Sequence, residues 1–211
     1  KKNIRKLNGV PLVCHVVREA FRSRLGDVYV STEDRKVAEV VMSSSYLERY
    51  PHVIIRPKHL AEDPSTVADV ALHALEKLEG YDTLIILLPT CPLMKAEDIK
   101  NSYYLFTYSN RSPVMSIAPI AQGNSPFRSV LVENSIVRPV MFQKMSHLRN
   151  RDFPQCYMSN GCIFIYDVVM FKQERSLYID GTIGYRMPPE RSVDIDTELD
   201  FKIARCLLND N

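Results

Sequence analysis

Apolar residues in this chain recur at helical spacing in some stretches and run unbroken in others, and the two patterns take turns. The stretch PLVCHVVREAFRSR, opening at Pro11, sets Leu12, Val13, Val16, Val17 and Ala20 on one stripe, and its proline suits a first helical turn. Further helices are expected over 34–44, 66–79, 95–109 and 198–208, the last with Leu199, Ile203, Cys206 and Leu207 as its buried stripe. Strands are expected over 27–32, 52–56, 83–88, 114–120 and 161–167, and a final one around RSVDID. TLIILL (83–88) is apolar throughout, as a strand buried on both faces of a parallel sheet must be. Alternation of this kind predicts a three-layer α/β domain with a mainly parallel sheet.

From about 121 to 160 the alternation breaks into mixed polar, aromatic and basic sequence, with SVLVE and SIVRPV as short strand candidates. That stretch is expected to form a small dimerisation or substrate arm, while 1–120 and 161–211 make the nucleotide-binding core of one domain. At 211 residues the chain can bury a sizeable core. Apolar residues are 45% and charged residues 25%, with a net charge of +2, which argues against disorder and against nucleic acid as a partner. The five cysteines are scattered and never form a CxxC pair, so reduced thiols and a cytoplasmic location are expected. No run approaches the roughly 20 apolar residues of a membrane span.

SVDIDTELDF (192–201) carries the most chemistry. In an extended chain Asp194 and Asp196 project together while Val193 and Ile195 face the core, and two like charges side by side call for a cation. Mg²⁺ takes carboxylate, phosphate and water oxygens at about 2.1 Å, commonly through one or two carboxylates plus substrate phosphates. Thr197 and Asp200 have the spacing of a capping box for the last helix, so the pair would stand at a helix N-terminus. A lone DxD is more often a solvated acidic turn.

The ordered series KNIRKLNGVPL (2–12), VSTED (30–34), RPKHLAED (56–63), LLPTCPL (87–93), NGCIFI (160–165) and SVDIDTELDF resembles the acylneuraminate cytidylyltransferases, the CMP-sialic acid synthetases, along nearly the whole chain. The resemblance implies a nucleotide-diphospho-sugar transferase fold and a homodimer with an exchanged arm. It also implies Mg²⁺-dependent coupling of CTP to a 2-keto nonulosonic acid with release of pyrophosphate. Carried over position by position, Asp194 and Asp196 would hold the metal, Lys2 would lie near phosphate and Asn3 near the ribose. Arg56, Ser65 and Thr66 would follow the cytidine and phosphate pocket, Pro89 and Thr90 would form a turn and pocket wall, and Asn160 and Gly161 would approach the sugar.

Three departures stand out. The family's opening strand and Gly-rich loop are not in the sequence, so about 15 to 20 residues upstream of Lys1 are expected. Leu88 replaces a glutamine and Met94 an arginine in LLPTCPLM, and Met158 stands where an arginine usually precedes the NG pair. Such losses of hydrogen-bond donors point to a sugar other than ordinary sialic acid, of the pseudaminic or legionaminic kind. Two alternatives stay open: a catalytically impaired sugar-nucleotide binder and a DxD glycosyltransferase. Of the histidines, His15 is expected to be a partly buried packing residue.

Overall fold

The computed structural model describes residues 2–140, 149 and 153–209. Its centre is a four-stranded sheet of β5 (Thr83–Leu87), β6 (Val114–Pro119), β9 (Tyr157–Asp167) and β10 (Ile183–Arg186), in the order β10-β6-β9-β5. β10 runs parallel to β6, and β9 runs antiparallel to both β6 and β5, so one strand opposes three that share a direction. The expectation of a mainly parallel sheet holds for those three and fails at β9. β3 (Tyr29–Thr32) and β4 (His52–Ile55) form a separate parallel pair, and β1 (Lys6–Leu7) and β2 (Val10–Pro11) a short antiparallel one.

Alternation along β9 builds the layers. Ile163 and Ile165 point to one face, where they meet Ile99 and Phe106 of α4 (Ala96–Tyr108) and Val16 of α1 (Leu12–Ser23). Phe164 and Tyr166 point to the other, against Ala71, Leu72 and Leu75 of α3 (Val67–Leu75) and Phe171 of α5 (Val168–Glu174). Helix, sheet, helix is the three-layer arrangement that the sequence pattern implies. α2 (Arg35–Ser43) packs Val37 and Val41 against the outer side of α1, in a cluster that Val30 of β3 and Val53 of β4 also join. TLIIL is only half-buried, because β5 is the edge strand of the sheet.

Local signals explain the helix ends. Thr66 and Asp69 form a capping box for α3, and Asp34 caps α2 through the Lys36 amide at 2.9 Å. Glu19 of α1 is buried and reaches across to accept the Ala96 amide at 3.0 Å, covering an exposed donor of α4. α5 and β10 are absent from the sequence pattern; Asp167, which accepts the Val169 and Met170 amides, is the cap that announces α5. In the arm, β7 (Val130–Glu133) and β8 (Ile136–Pro139) form an antiparallel hairpin. Much of the rest of that arm, residues 141–148, 150, 151 and 152, lies outside the described residues.

Two expectations about the C-terminal stretch need correction. Among the described residues RSVDID has no strand partner: Arg191 closes a short 3-10 turn, and the acidic segment is tied to the β5–α4 turn by one backbone bond, Ile195 amide to Thr90 carbonyl at 2.9 Å. Helix α6 (Glu198–Asn209) buries Phe201 and Ala204, not Leu199 and Ile203, which are exposed together with Cys206. Phe201 is aromatic and lies under the Arg5 guanidinium, 3.7 Å from the ring centre, which sets the helix's rotation. Leu207 is only partly buried at the same cluster.

Candidate active site

Ile195 is the anchor of the acidic segment. Its side chain is buried among Leu7, Leu12, Leu93, Phe201 and Ala204, a burial that contributes about 1.5–3 kcal/mol. With Val193 beside it in the same cluster, the flanking Asp194 and Asp196 are left on the outer side of the segment. Thr197 and Asp200 then close the predicted capping box: Asp200 accepts the Thr197 amide at 2.7 Å and donates its own amide to the Thr197 hydroxyl at 3.3 Å. The Asp196 amide also reaches Asp200, at 3.1 Å.

The two carboxylates differ. Asp196 is exposed and accepts Lys2 Nζ at 2.8 Å. Asp194 is half-buried, and its Oδ1 is buried with no hydrogen-bond partner among the described residues. Burial pushes the Asp194 carboxyl above its usual range; the Thr90 hydroxyl counteracts this, the Asp196 charge adds to it and Lys2 opposes it. Its Oδ2 faces Gly161, whose φ is +70° and where a Cβ would sit 3.3 Å from that oxygen. The missing side chain at Gly161 is therefore the space that Asp194 occupies. Leu88 borders the same point, its Cδ1 3.6 Å from that Cβ position.

Lys2, Thr90, Gly161, Asp194 and Asp196 thus come together from the N-terminus, the β5–α4 turn, β9 and the acidic segment. Arg56 is committed elsewhere: it pairs with Glu33 at 2.6 Å and donates to the Ser31 carbonyl at 3.3 Å, at the carboxyl ends of β3 and β4. Arg56 Nε, Ser31 Oγ and Ser65 Oγ are each buried and, among the described residues, have no hydrogen-bond partner. Thr66 spends its hydroxyl on Asp69, and Pro89 precedes Thr90 in the turn. Asn3 is half-buried in the first turn of the chain.

The departures from the family separate in space. Met94 is 1% exposed and belongs to the core cluster of Cys91, Ile99 and Cys162, so its apolar side chain does not line the site. Leu88 does border it. Met158 is exposed on β9. His15 is fully buried, with one ring nitrogen 3.1 Å from the Leu7 carbonyl, and is a packing residue.

The donor set suits a hard divalent cation. A buried carboxylate oxygen with no partner next to a second, exposed carboxylate offers oxygen ligands and unbalanced charge. Among the described residues no group of three or more His, Cys, Asp or Glu is arranged to hold a metal, so the remaining ligands would be phosphate and water oxygens. Among the described residues no helix is long and apolar enough to cross a membrane.

A solved structure, a CMP:2-keto-3-deoxy-manno-octonic acid synthetase complexed with CTP, shares the fold with a TM-score of 0.71, 16% identity and coverage of 99% of this chain and 92% of that one. Among curated proteins, the CMP-N,N'-diacetyllegionaminic acid synthase of Legionella pneumophila is 29% identical over 216 residues, covering 100% of this chain and 90% of the relative. The N-acylneuraminate cytidylyltransferase of Streptococcus agalactiae is 29% identical over 203 residues, covering 95% of this chain and 48% of that longer protein. The family model for Cytidylyltransferase matches residues 1–174, and the chain belongs to that family.

Proposed function

We propose that this protein transfers the cytidylyl group of CTP to the anomeric hydroxyl of a 2-keto nonulosonic acid, releasing pyrophosphate, with Mg²⁺ held by Asp194 and Asp196. The observation that carries this reading is the Asp194 carboxylate, whose Oδ1 is buried and has no hydrogen-bond partner among the described residues while its Oδ2 faces Gly161, two positions before the Asp196 that Lys2 pairs with. The sugar class follows from the relatives, which act on N,N'-diacetyllegionaminic and N-acylneuraminic acids.

Attack on the α-phosphate builds negative charge on its oxygens, and positioning with electrostatic stabilisation does most of the work in such a transfer. Mg²⁺, when bound, supplies the positive charge that offsets it. Lys2 needs only to turn from Asp196 to meet a phosphate oxygen, adding a second cation from the chain itself. Arg56 and the hydroxyls of Ser31 and Ser65 are the donors for the nucleotide's polar edge, and Leu88 gives the sugar an apolar wall beside Asp194.

The exposed face of the β7–β8 hairpin supports a homodimer. Val130 pairs with Pro139 and Val132 with Val137, so these four side chains share one face; Val132 is 65% exposed. An apolar ribbon of this kind is suited to cover a second copy.

Pyrophosphate release is the deciding measurement. With CTP, Mg²⁺ and a panel of 2-keto sugar acids, at least one acid should yield a CMP-sugar and pyrophosphate in equal amounts. CTP binding with no turnover on any acid would instead mark a sugar-nucleotide binder.

A further inference from the structure

Asn160 is buried, and every hydrogen-bonding position of its side chain is already taken. Its Oδ1 accepts the Ser116 hydroxyl at 2.5 Å and the Cys162 amide at 3.2 Å. Its Nδ2 donates to the Ser192 hydroxyl at 2.9 Å and to the Met187 sulfur at 3.4 Å. An amide offers two acceptor and two donor positions, so none remains for a ligand.

Cys162 lies on the same strand as Asn160, and the other three partners come from distant parts of the chain. Ser116 sits at the irregularity where the β6–β9 register shifts between Met115 and Ile117, and its hydroxyl also accepts the Ile163 amide at 2.8 Å. Ser192 lies two residues before Asp194 and donates its own hydroxyl to the Pro188 carbonyl at 2.8 Å. The chain of contacts therefore runs from the centre of the sheet, through Asn160, to the segment that presents the carboxylates.

We propose that Asn160 is a positioning residue that fixes the Asp194 carboxylate by tying Ser192 to the irregular centre of the sheet, rather than a group that touches the sugar. This rests on Asp194 being a metal ligand. Partners one step behind a metal ligand hold its orientation, and losing them typically weakens metal affinity about 10–100-fold. Without the Ser192 link, the segment keeps its Ile195 anchor, but the approach to Asp194 loses its lateral restraint.

The test titrates Mn²⁺ by electron paramagnetic resonance into the full-length protein with CTP present and no sugar acid. Ser192→Ala should raise half-saturating Mn²⁺ by roughly tenfold or more, and Asn160→Ser by a similar factor. Ser192→Thr, which keeps the hydroxyl, should restore wild-type binding. If Asn160→Ser does not fold, Ser192→Ala carries the test alone. Wild-type Mn²⁺ affinity in a folded Ser192→Ala would overturn the positioning role, provided that Asp194→Asn abolishes binding in the same assay. If Asp194→Asn binds Mn²⁺ as the wild type does, the metal-site reading itself fails, and the positioning role falls with it.

Discussion

Arg191 grips Asp98 with two parallel hydrogen bonds, Nε to Oδ2 at 2.9 Å and Nη2 to Oδ1 at 2.8 Å, across 93 positions of sequence. The carboxylate is fully buried and also accepts the Lys95 amide and the Tyr185 hydroxyl. The start of α4 is thus bonded to the turn that leads into the acidic segment. Removing one partner of such a pair leaves a buried charge without compensation. Arg191→Met should cost about 3–5 kcal/mol of stability, read by urea denaturation.

Asp194 and Asp196 should separate fold from chemistry. Asp196→Asn should lower kcat roughly a hundredfold or more and remove the Mg²⁺ dependence while melting normally, because its carboxylate is exposed and, among the described residues, makes only the Lys2 contact. Asp194→Asn should lose activity similarly yet melt higher than wild type without metal at neutral pH. The Asp194 pKa is raised by burial, so its ionised form is disfavoured in the fold, and stability is lost as pH rises through that pKa. Calorimetric scans in the presence of chelator check this.

Gly161→Ala should damage the site from beneath. The backbone there is left-handed, which costs an alanine about 1–2 kcal/mol, and the new methyl would press on Asp194 Oδ2. Turnover should fall by more than stability alone accounts for, a split read by comparing kcat with the folded fraction.

The hairpin prediction concerns assembly. Val132→Glu with Val137→Glu puts two charges on the apolar face of β7 and β8. Sedimentation should show the double variant as a monomer and the unaltered protein as a dimer.

His15 sets a pH dependence. Burial lowers its pKa, so the unfolded chain takes up a proton that the folded chain resists. Its stabilising neutral form is present above the ordinary histidine pKa of about 6.5, and stability should fall as pH drops below that value. His15→Gln should flatten this slope in denaturation curves taken across the range.

Much of the architecture was legible because helical spacing and apolar runs report burial directly. α1 to α4, and β3 to β6, stand where their patterns place them. Periodicity cannot say which of two apolar stripes faces inward, and at α6 the choice turned on Phe201 and the Arg5 contact above it. Nor can it see that Met94 turns into the core, since burial depends on how the β5–α4 turn is laid down. The helix cap that follows the acidic pair was readable from spacing alone. Asp98 with Arg191, and Ser116 with Asn160, were not, because each pair joins segments far apart in sequence whose meeting is fixed only by the sheet order.

Among the described residues one main-chain bond, from Ile195 to Thr90, staples the segment of the two aspartates to the body of the molecule. The exchange rate of that one amide proton is therefore a gauge of how often the whole acidic finger lifts away, and a ligand spanning both sides should slow it.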